Sequence, residues 1–220
     1  MRQSQDQPEK PAKVRVHSLS VRIFHWLNAI AIILMIMSGW RIYNASPLFG
    51  FRFPNSITLG GWLGGALQWH FAAMWLLVIN FVVYLVIGFA SGHFRNAFLP
   101  VSPGSVLRDV GKVLRGRLAH EIGVYNAVQR SSYIGVLLAI LLTVVSGLCV
   151  WKPVQMQEIA ALMGGYEGAR LVHFVGMALI SAFIVVHLAL VLLVPGTFPP
   201  MIRGWARGTA TVKGENINVS

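Results

Sequence analysis

Seven histidines are the residues of this chain best equipped for chemistry: His17, His25, His70, His93, His120, His173 and His187. Neutral imidazole carries protons and is the commonest nitrogen ligand of transition metals. His25, His70, His173 and His187 stand in stretches free of Lys, Arg, Asp and Glu. If those stretches lie in a membrane, an ionisable side chain there is costly and marks a functional position. One such histidine alone could equally be a hydrogen-bonded core residue, so the joint arrangement of four is the informative feature. His173 and His187 are fourteen residues apart, which on a helix is a rise of about 21 Å and a return to within about 40° of the starting direction. Both face one side of one helix at two depths. No nucleophile–base pair, phosphate-binding glycine loop or metal-activated water site accompanies them.

The elements that must position these residues are membrane helices. The 220 residues are 55% hydrophobic and only 11% charged, against about a quarter charged in soluble domains. Four charge-free stretches lie between Arg22 and Arg41, Arg52 and Arg95, Arg130 and Lys152, and Arg170 and Arg203. Each holds an apolar run long enough, at ~1.5 Å per residue, to cross a ~30 Å hydrocarbon core. The expected spans are 22–42, 67–91, 131–151 and 171–194. Their length and lack of alternation exclude a membrane β-barrel. Residues 1–21 hold no apolar region with a small-residue cleavage site and read as a retained tail.

The net charge of +11 is sorted by side. Segments 1–22, 92–130 and 196–220 carry fourteen of the eighteen Lys and Arg; only Arg41, Arg52, Lys152 and Arg170 fall in the opposite loops. The positive-inside rule therefore places both termini and the middle loop in the cytoplasm. The charge reads as topology and attraction to anionic lipid, with no nucleic-acid partner. Loop 43–66, with Pro47, Pro54 and several glycines, is expected to cap the outer face. Loop 152–170 carries Glu158, Glu167 and a short helix at 155–163 ended by Gly164-Gly165. Segment 105–118 fits a surface helix under the headgroups. Pro195 ends the last span, residues 196–220 form a polar cytosolic tail, and no tandem repeat is evident.

Depth then sorts the histidines. Span one enters from the cytoplasm, so His25 is near the inner face; spans two and four enter from outside, so His70 and His173 are near the outer face. His187 is about 21 Å deeper than His173. The pairs are His70 with His173, outer, and His25 with His187, inner. Two stacked imidazole pairs are what two six-coordinate haems require, each iron having two axial positions. Gly39 and Gly88 share faces with His25 and His70 at the opposite depths, where a macrocycle could approach the backbone. Zinc sites need a compact ligand cluster, and a proton relay lacks carboxylates in the spans. His17, His93 and His120 read as interfacial or surface residues, His17 being the one substitute for His25. Cys149 is a packing residue, and no C-x-x-C-H run offers covalent haem attachment.

These residues resemble the four-helix cytochrome b subunits of bacterial respiratory enzymes: nickel–iron hydrogenases, formate dehydrogenase and thiosulfate reductase, grouped with bacterial b561-type cytochromes. The matching pieces are Arg22-x-x-His25-Trp26-x-Asn28, the isolated His70, Tyr125-Asn126-Ala127-x-Gln129, Ser146-Gly147, and His173 with His187. They cover roughly residues 17–195. The resemblance implies two non-covalent b haems on His25, His70, His173 and His187, a bacterial inner-membrane location, and electron transfer between quinone and a partner oxidoreductase. It also implies a quinone near the inner haem beside Tyr125–Gln129, with Asn126 and Gln129 as candidate contacts. Val128 stands where some members carry glycine. Trp151-Lys152-Pro153-Val154 and the turn Gly164–Gly168 are similar to cytochromes that accompany periplasmic molybdopterin oxidoreductases.

The reading is an all-α, four-helix integral membrane protein holding two b haems, a redox subunit rather than a self-sufficient enzyme. Its rivals are a stand-alone b561-type superoxide or quinone oxidoreductase and a haem-free scaffold or assembly factor. Arg22, Arg41, Arg130 and Arg170, at the span ends, serve either haem propionates or topology.

Overall fold

Four long helices carry the structure, a computed structural model that describes residues 13–90 and 127–207, without the side chains at 13, 14, 127–130, 206 and 207. They are α1 (Leu19–Ala45), α2 (Leu63–Ala90), α3 (Ala127–Trp151) and α5 (Gly165–Leu193), with short helices α4 (Gln157–Leu162) and α6 (Phe198–Arg203). All four long helices are apolar and long enough to cross a membrane, and the protein is membrane-embedded. Each begins about a turn before the charge-free reading placed it. In α3 and α5 the added residues include Gln129, Arg130, Glu167 and Arg170, which helical backbone tolerates at an interface but a hydrocarbon criterion leaves out.

The starts and stops follow local chemistry. Ser18 caps α1, its hydroxyl accepting from Val21 N at 3.3 Å, which satisfies one of the orphan N–H groups of the first turn. Gly164 and Gly165 adopt φ of +92° and +81°, a left-handed turn that reverses the chain between α4 and α5 at little cost only for glycine. The short helix expected at 155–163 is α4.

Close backbone approach runs within two hairpins, α1 with α2 and α3 with α5. Small residues permit it. Ala31, Ser38, Ala66 and Ala73 are buried in the first hairpin; Ser146, Ala169 and Gly176 are buried in the second. A Cβ at Gly176 would lie 2.2 Å from Thr143 Oγ1, so that contact admits no side chain as it stands. Asn80, buried in α2, donates to Asn28 Oδ1 at 2.7 Å and to the Phe24 carbonyl at 3.1 Å. Phe81, Ile140 and Ile180 meet at mid-bundle, with Ile32 of α1 packed against them, so one apolar layer joins the hairpins. Large apolar side chains, leucines among them, face outward on every long helix, the arrangement suited to lipid.

The chain after Pro195 differs from the expected polar tail. Helix α6 and strand β2 (Trp205–Arg207) fold back, and β2 pairs antiparallel with β1 (Lys13–Arg15), Val14 opposite Ala206. Arg22 donates to the Ile202 carbonyl and Trp26 Nε1 to the Met201 carbonyl. Three-residue strands carry no periodicity to read, and the anchoring donors sit about 175 residues away in sequence. Segment 105–118, His93, His120 and Asn126 lie outside the described residues, as does the side chain of Gln129.

Candidate functional site

At the end of the bundle that carries the α1–α2 and α3–α5 connections, His70 of α2 faces His173 of α5, ring centres 6.3 Å apart. Towards the termini, His25 of α1 faces His187 of α5 at 6.2 Å. The helical rise puts about 21 Å between the two levels, with the Phe81–Ile140–Ile180 layer between them. The structure thus brings His70 together with His173 and His25 together with His187.

The separation has a chemical meaning. A metal–imidazole nitrogen bond is about 2 Å and the ring centre lies about 1.1 Å behind that nitrogen, so two rings on opposite sides of one metal have centres about 6 Å apart. Both pairs sit at that distance. Among the described residues there is no group of three His, Cys, Asp or Glu able to hold a metal ion; each pair fills only two positions, as the axial sites of a haem require.

The rings of the connection-side pair are fixed by hydrogen bonds. Ser38 donates its one proton to the Leu34 carbonyl at 2.6 Å, so its contact with His70 Nδ1 at 3.0 Å runs from imidazole N–H to hydroxyl oxygen. His173 Nδ1–H donates to the Thr143 carbonyl at 2.9 Å, with Ser146 Oγ at 3.4 Å. Both rings therefore carry their proton on Nδ1, leaving Nε2 with the lone pair a metal needs. Glycines stand against both: a Cβ at Gly39 would be 3.4 Å from His70 Cε1, and one at Gly147 would be 2.9 Å from His173 Cε1. At the other level, His25 Nδ1 is buried and has no hydrogen-bond partner among the described residues. Such a nitrogen leaves an unmet hydrogen-bonding demand of about 1–3 kcal/mol at this level. His187 stacks on Phe183, centres 5.9 Å apart. The residues present fit two bis-histidine haems.

Segments outside the long helices lie over both ends. Loop 46–62 folds over the connection side, where Trp40 stacks on Phe53 and Tyr43 packs on Phe174, the neighbour of His173. Asn44 exchanges two 2.8 Å bonds with the backbone of Phe53. At the other end the α6 fold-back lies over Arg22 and Trp26.

The arginines divide. Arg41 donates to Asn55 Oδ1 at 2.6 Å, beside an open cleft of about 470 Å³ also lined by Asn44 and Arg52. Arg170 pairs with Glu167 at 2.8 Å and donates to Ser46. Arg22 keeps a buried Nε with no partner among the described residues; Arg130's side chain is outside them. His17 lies before α1, half-buried; burial first, then the Arg22 guanidinium, holds its imidazole below the usual range. It is His25, not His17, that meets His187. Gly88 is buried in α2. Cys149 is fully buried among Ala160 and Ala169. Ser38 was missed in the sequence; its one signal was the Ser-Gly dipeptide repeated at 38–39 and 146–147.

The chain matches the model of the prokaryotic cytochrome b561 family over residues 16–204. It is 50% identical, over 86% of its length and 96% of the relative's, to a putative protein-methionine-sulfoxide reductase subunit YedZ1 of Azospira oryzae. It is 25% identical to the cytochrome b556(fdo) subunit of formate dehydrogenase of Escherichia coli K12, over 84% of this chain and 81% of that one. A probable Ni/Fe-hydrogenase B-type cytochrome subunit of Bradyrhizobium diazoefficiens is 22% identical over 80% and 76% of the two chains.

Proposed function

The chain belongs to the prokaryotic cytochrome b561 family, and we propose that it is a di-haem membrane cytochrome b subunit carrying electrons between the quinone pool and a partner oxidoreductase. The observation that carries this reading is the two facing histidine pairs, 6.3 and 6.2 Å between ring centres, stacked about 21 Å apart. His70 and His173 are the axial ligands at the outer level, His25 and His187 at the inner. When bound, two non-covalent b haems supply one-electron relay from one face of the bilayer to the other. The chain supplies the rest. Imidazoles hold and orient the groups, the Trp40–Phe53 and Tyr43–Phe174 contacts shut out water, and the Phe81 layer keeps the path apolar.

The distribution of Lys and Arg supports a bacterial inner-membrane protein with both termini cytoplasmic. The quinone is assigned to the cytoplasmic end, beside Asn126 and Gln129. The sequence puts two amides where the basic loop gives way to the apolar run of span three, and amides can donate to the two carbonyl oxygens of the ring. For the partner, the 50% identity to a methionine-sulfoxide reductase subunit favours a periplasmic protein-methionine-sulfoxide reductase over a formate dehydrogenase or a hydrogenase. Electrons then run from quinol, through this chain, to the reductase.

The test is haem quantification with a reduced-minus-oxidised spectrum of the purified protein. Two b haems per chain, extractable with acid acetone, are expected. A value near one removes one pair from the ligand set, and a colourless protein ends the reading in favour of a haem-free scaffold. Reduction of a terminal acceptor by the purified chain without a partner supports the stand-alone oxidoreductase instead.

A further inference from the structure

The two hairpins repeat one register. In α1 the pair Ser38-Gly39 follows His25 by thirteen residues and Arg22 by sixteen; in α3 the pair Ser146-Gly147 follows Tyr133 and Arg130 by the same intervals. In α2 and α5, His70 and His173 each have a fully buried alanine four residues before them, Ala66 and Ala169. Seven residues after them come the buried Leu77 and Ile180. Fourteen residues on, Tyr84 stands where the other hairpin has His187.

The repeat extends to hydrogen bonds. Ser38 gives its proton to the carbonyls of Leu34 and Met35; Ser146 gives its proton to those of Leu142 and Thr143. Each hydroxyl oxygen then faces Nδ1 of the histidine on its partner helix, at 3.0 Å for His70 and 3.4 Å for His173. Both serines are fully buried. The inner level departs from this. A full repeat would give each hairpin two histidines at this level, but Tyr84 and Tyr133 hold two of the four corners, and His25 Nδ1 has no partner among the described residues.

We propose that Ser38 and Ser146 are a matched pair of positioning residues that lock the tautomer of the outer axial histidines and hold the reduction potential of the outer haem down. The inference rests on His70 and His173 being axial ligands. An imidazole whose Nδ1–H is held by an acceptor is a stronger donor through Nε2, which favours the oxidised metal. Such a bond is described for both rings of the outer level. The two serines are not equal. Each ring has a backbone carbonyl partner, Met35 for His70 and Thr143 for His173, but Ser38 lies 3.0 Å from His70 Nδ1 and Ser146 further off, 3.4 Å from His173 Nδ1.

The experiment is an equilibrium redox titration, followed optically and by low-temperature EPR, of purified wild-type, Ser38→Ala, Ser38→Thr and Ser146→Ala proteins. The outer component is identified as the one absent from His70→Ala. Ser38→Ala is expected to raise its midpoint by about a fivefold change in the reduction equilibrium, about 40 mV for one electron. Ser146→Ala is expected to raise it less, and Ser38→Thr, which keeps the hydroxyl, to restore it. The inner component stays in place throughout. An outer midpoint unmoved in Ser38→Ala while both bis-histidine spectra persist overturns the inference and leaves the ligand assignment standing. Should Ser38→Ala strip the outer haem, Ser146→Ala gives the same readout, and an unmoved midpoint there is equally fatal. Absence of two bis-histidine haems from the wild-type protein instead overturns the ligand assignment.

Discussion

Replacing Gly147 by alanine places one methyl group where the structure has least room for it. The added Cβ would lie 2.9 Å from His173 Cε1 and 3.2 Å from its Nδ1. Carbon atoms rest at about 3.5–4.0 Å, so the ring must retreat by roughly 0.6–1 Å or α3 and α5 must part. Either movement lengthens the 2.9 Å bond from His173 Nδ1 to the Thr143 carbonyl. Overpacking of this size costs about 1–3 kcal/mol, which in a binding constant is about 5- to 160-fold. Gly39→Ala is the matched control, because its Cβ would meet His70 Cε1 at 3.4 Å, near ordinary contact. Gly147→Ala should therefore lose at least fivefold in affinity for the outer haem, while Gly39→Ala stays within about threefold. The assay is haem content and reduced-minus-oxidised amplitude of protein made under limiting haem, the His25→Ala protein supplying the outer spectrum alone. Gly147→Ala that retains wild-type outer haem, or loses no more than Gly39→Ala, refutes the view that glycine is there to make space for the ligand ring.

Three further outcomes are expected. His70→Ala should empty the outer site and spare the inner haem, and His25→Ala should do the reverse; if His70→Ala and His187→Ala empty the same single site, the pairing is wrong. A green fluorescent fusion at Ser220 should fluoresce and an alkaline phosphatase fusion after Ser46 should be active, and the opposite pattern would exchange the two faces. Asn126→Ala and Gln129→Ala, in protein with full haem, should slow quinol-driven reduction by about tenfold each; wild-type rates with wild-type inhibitor sensitivity would move the quinone to the other end.

The four spans and the depth of each histidine were legible because both rest on arithmetic along one helix. Charge is excluded from hydrocarbon, so the gaps between Arg22 and Arg41 or Arg170 and Arg203 outline helices directly. A fixed rise and rotation per residue then carries His173 to His187. What crosses between helices was not legible in the same way. The hydroxyl that meets His70 comes from a residue 32 positions earlier, and nothing periodic links them. The fold-back of α6 likewise depends on Arg22 and Trp26 finding carbonyls at 202 and 201.

The register shared by the hairpins explains why some of this information was nevertheless present in the sequence. Two helices packed through small residues must place Ser-Gly of one against histidine of the other at a fixed offset, and the chain meets that requirement twice. The connections differ, 17 residues from Ala45 to Leu63 in one hairpin and an intervening α4 in the other, so the repeat has no constant period and does not show as a tandem one. It is visible only when the helices are compared pairwise: α1 with α3 through Ser38 and Ser146, α2 with α5 through His70 and His173. Equivalence at the outer level with two tyrosines in place of histidines at the inner level has a physical consequence. Two hairpins of like register produce one symmetric bis-histidine site where both supply a ligand, but four histidines at the inner level would offer twice the ligands one iron can take in its axial positions. With tyrosine at 84 and 133, His25 and His187 are the histidines whose rings face at 6.2 Å.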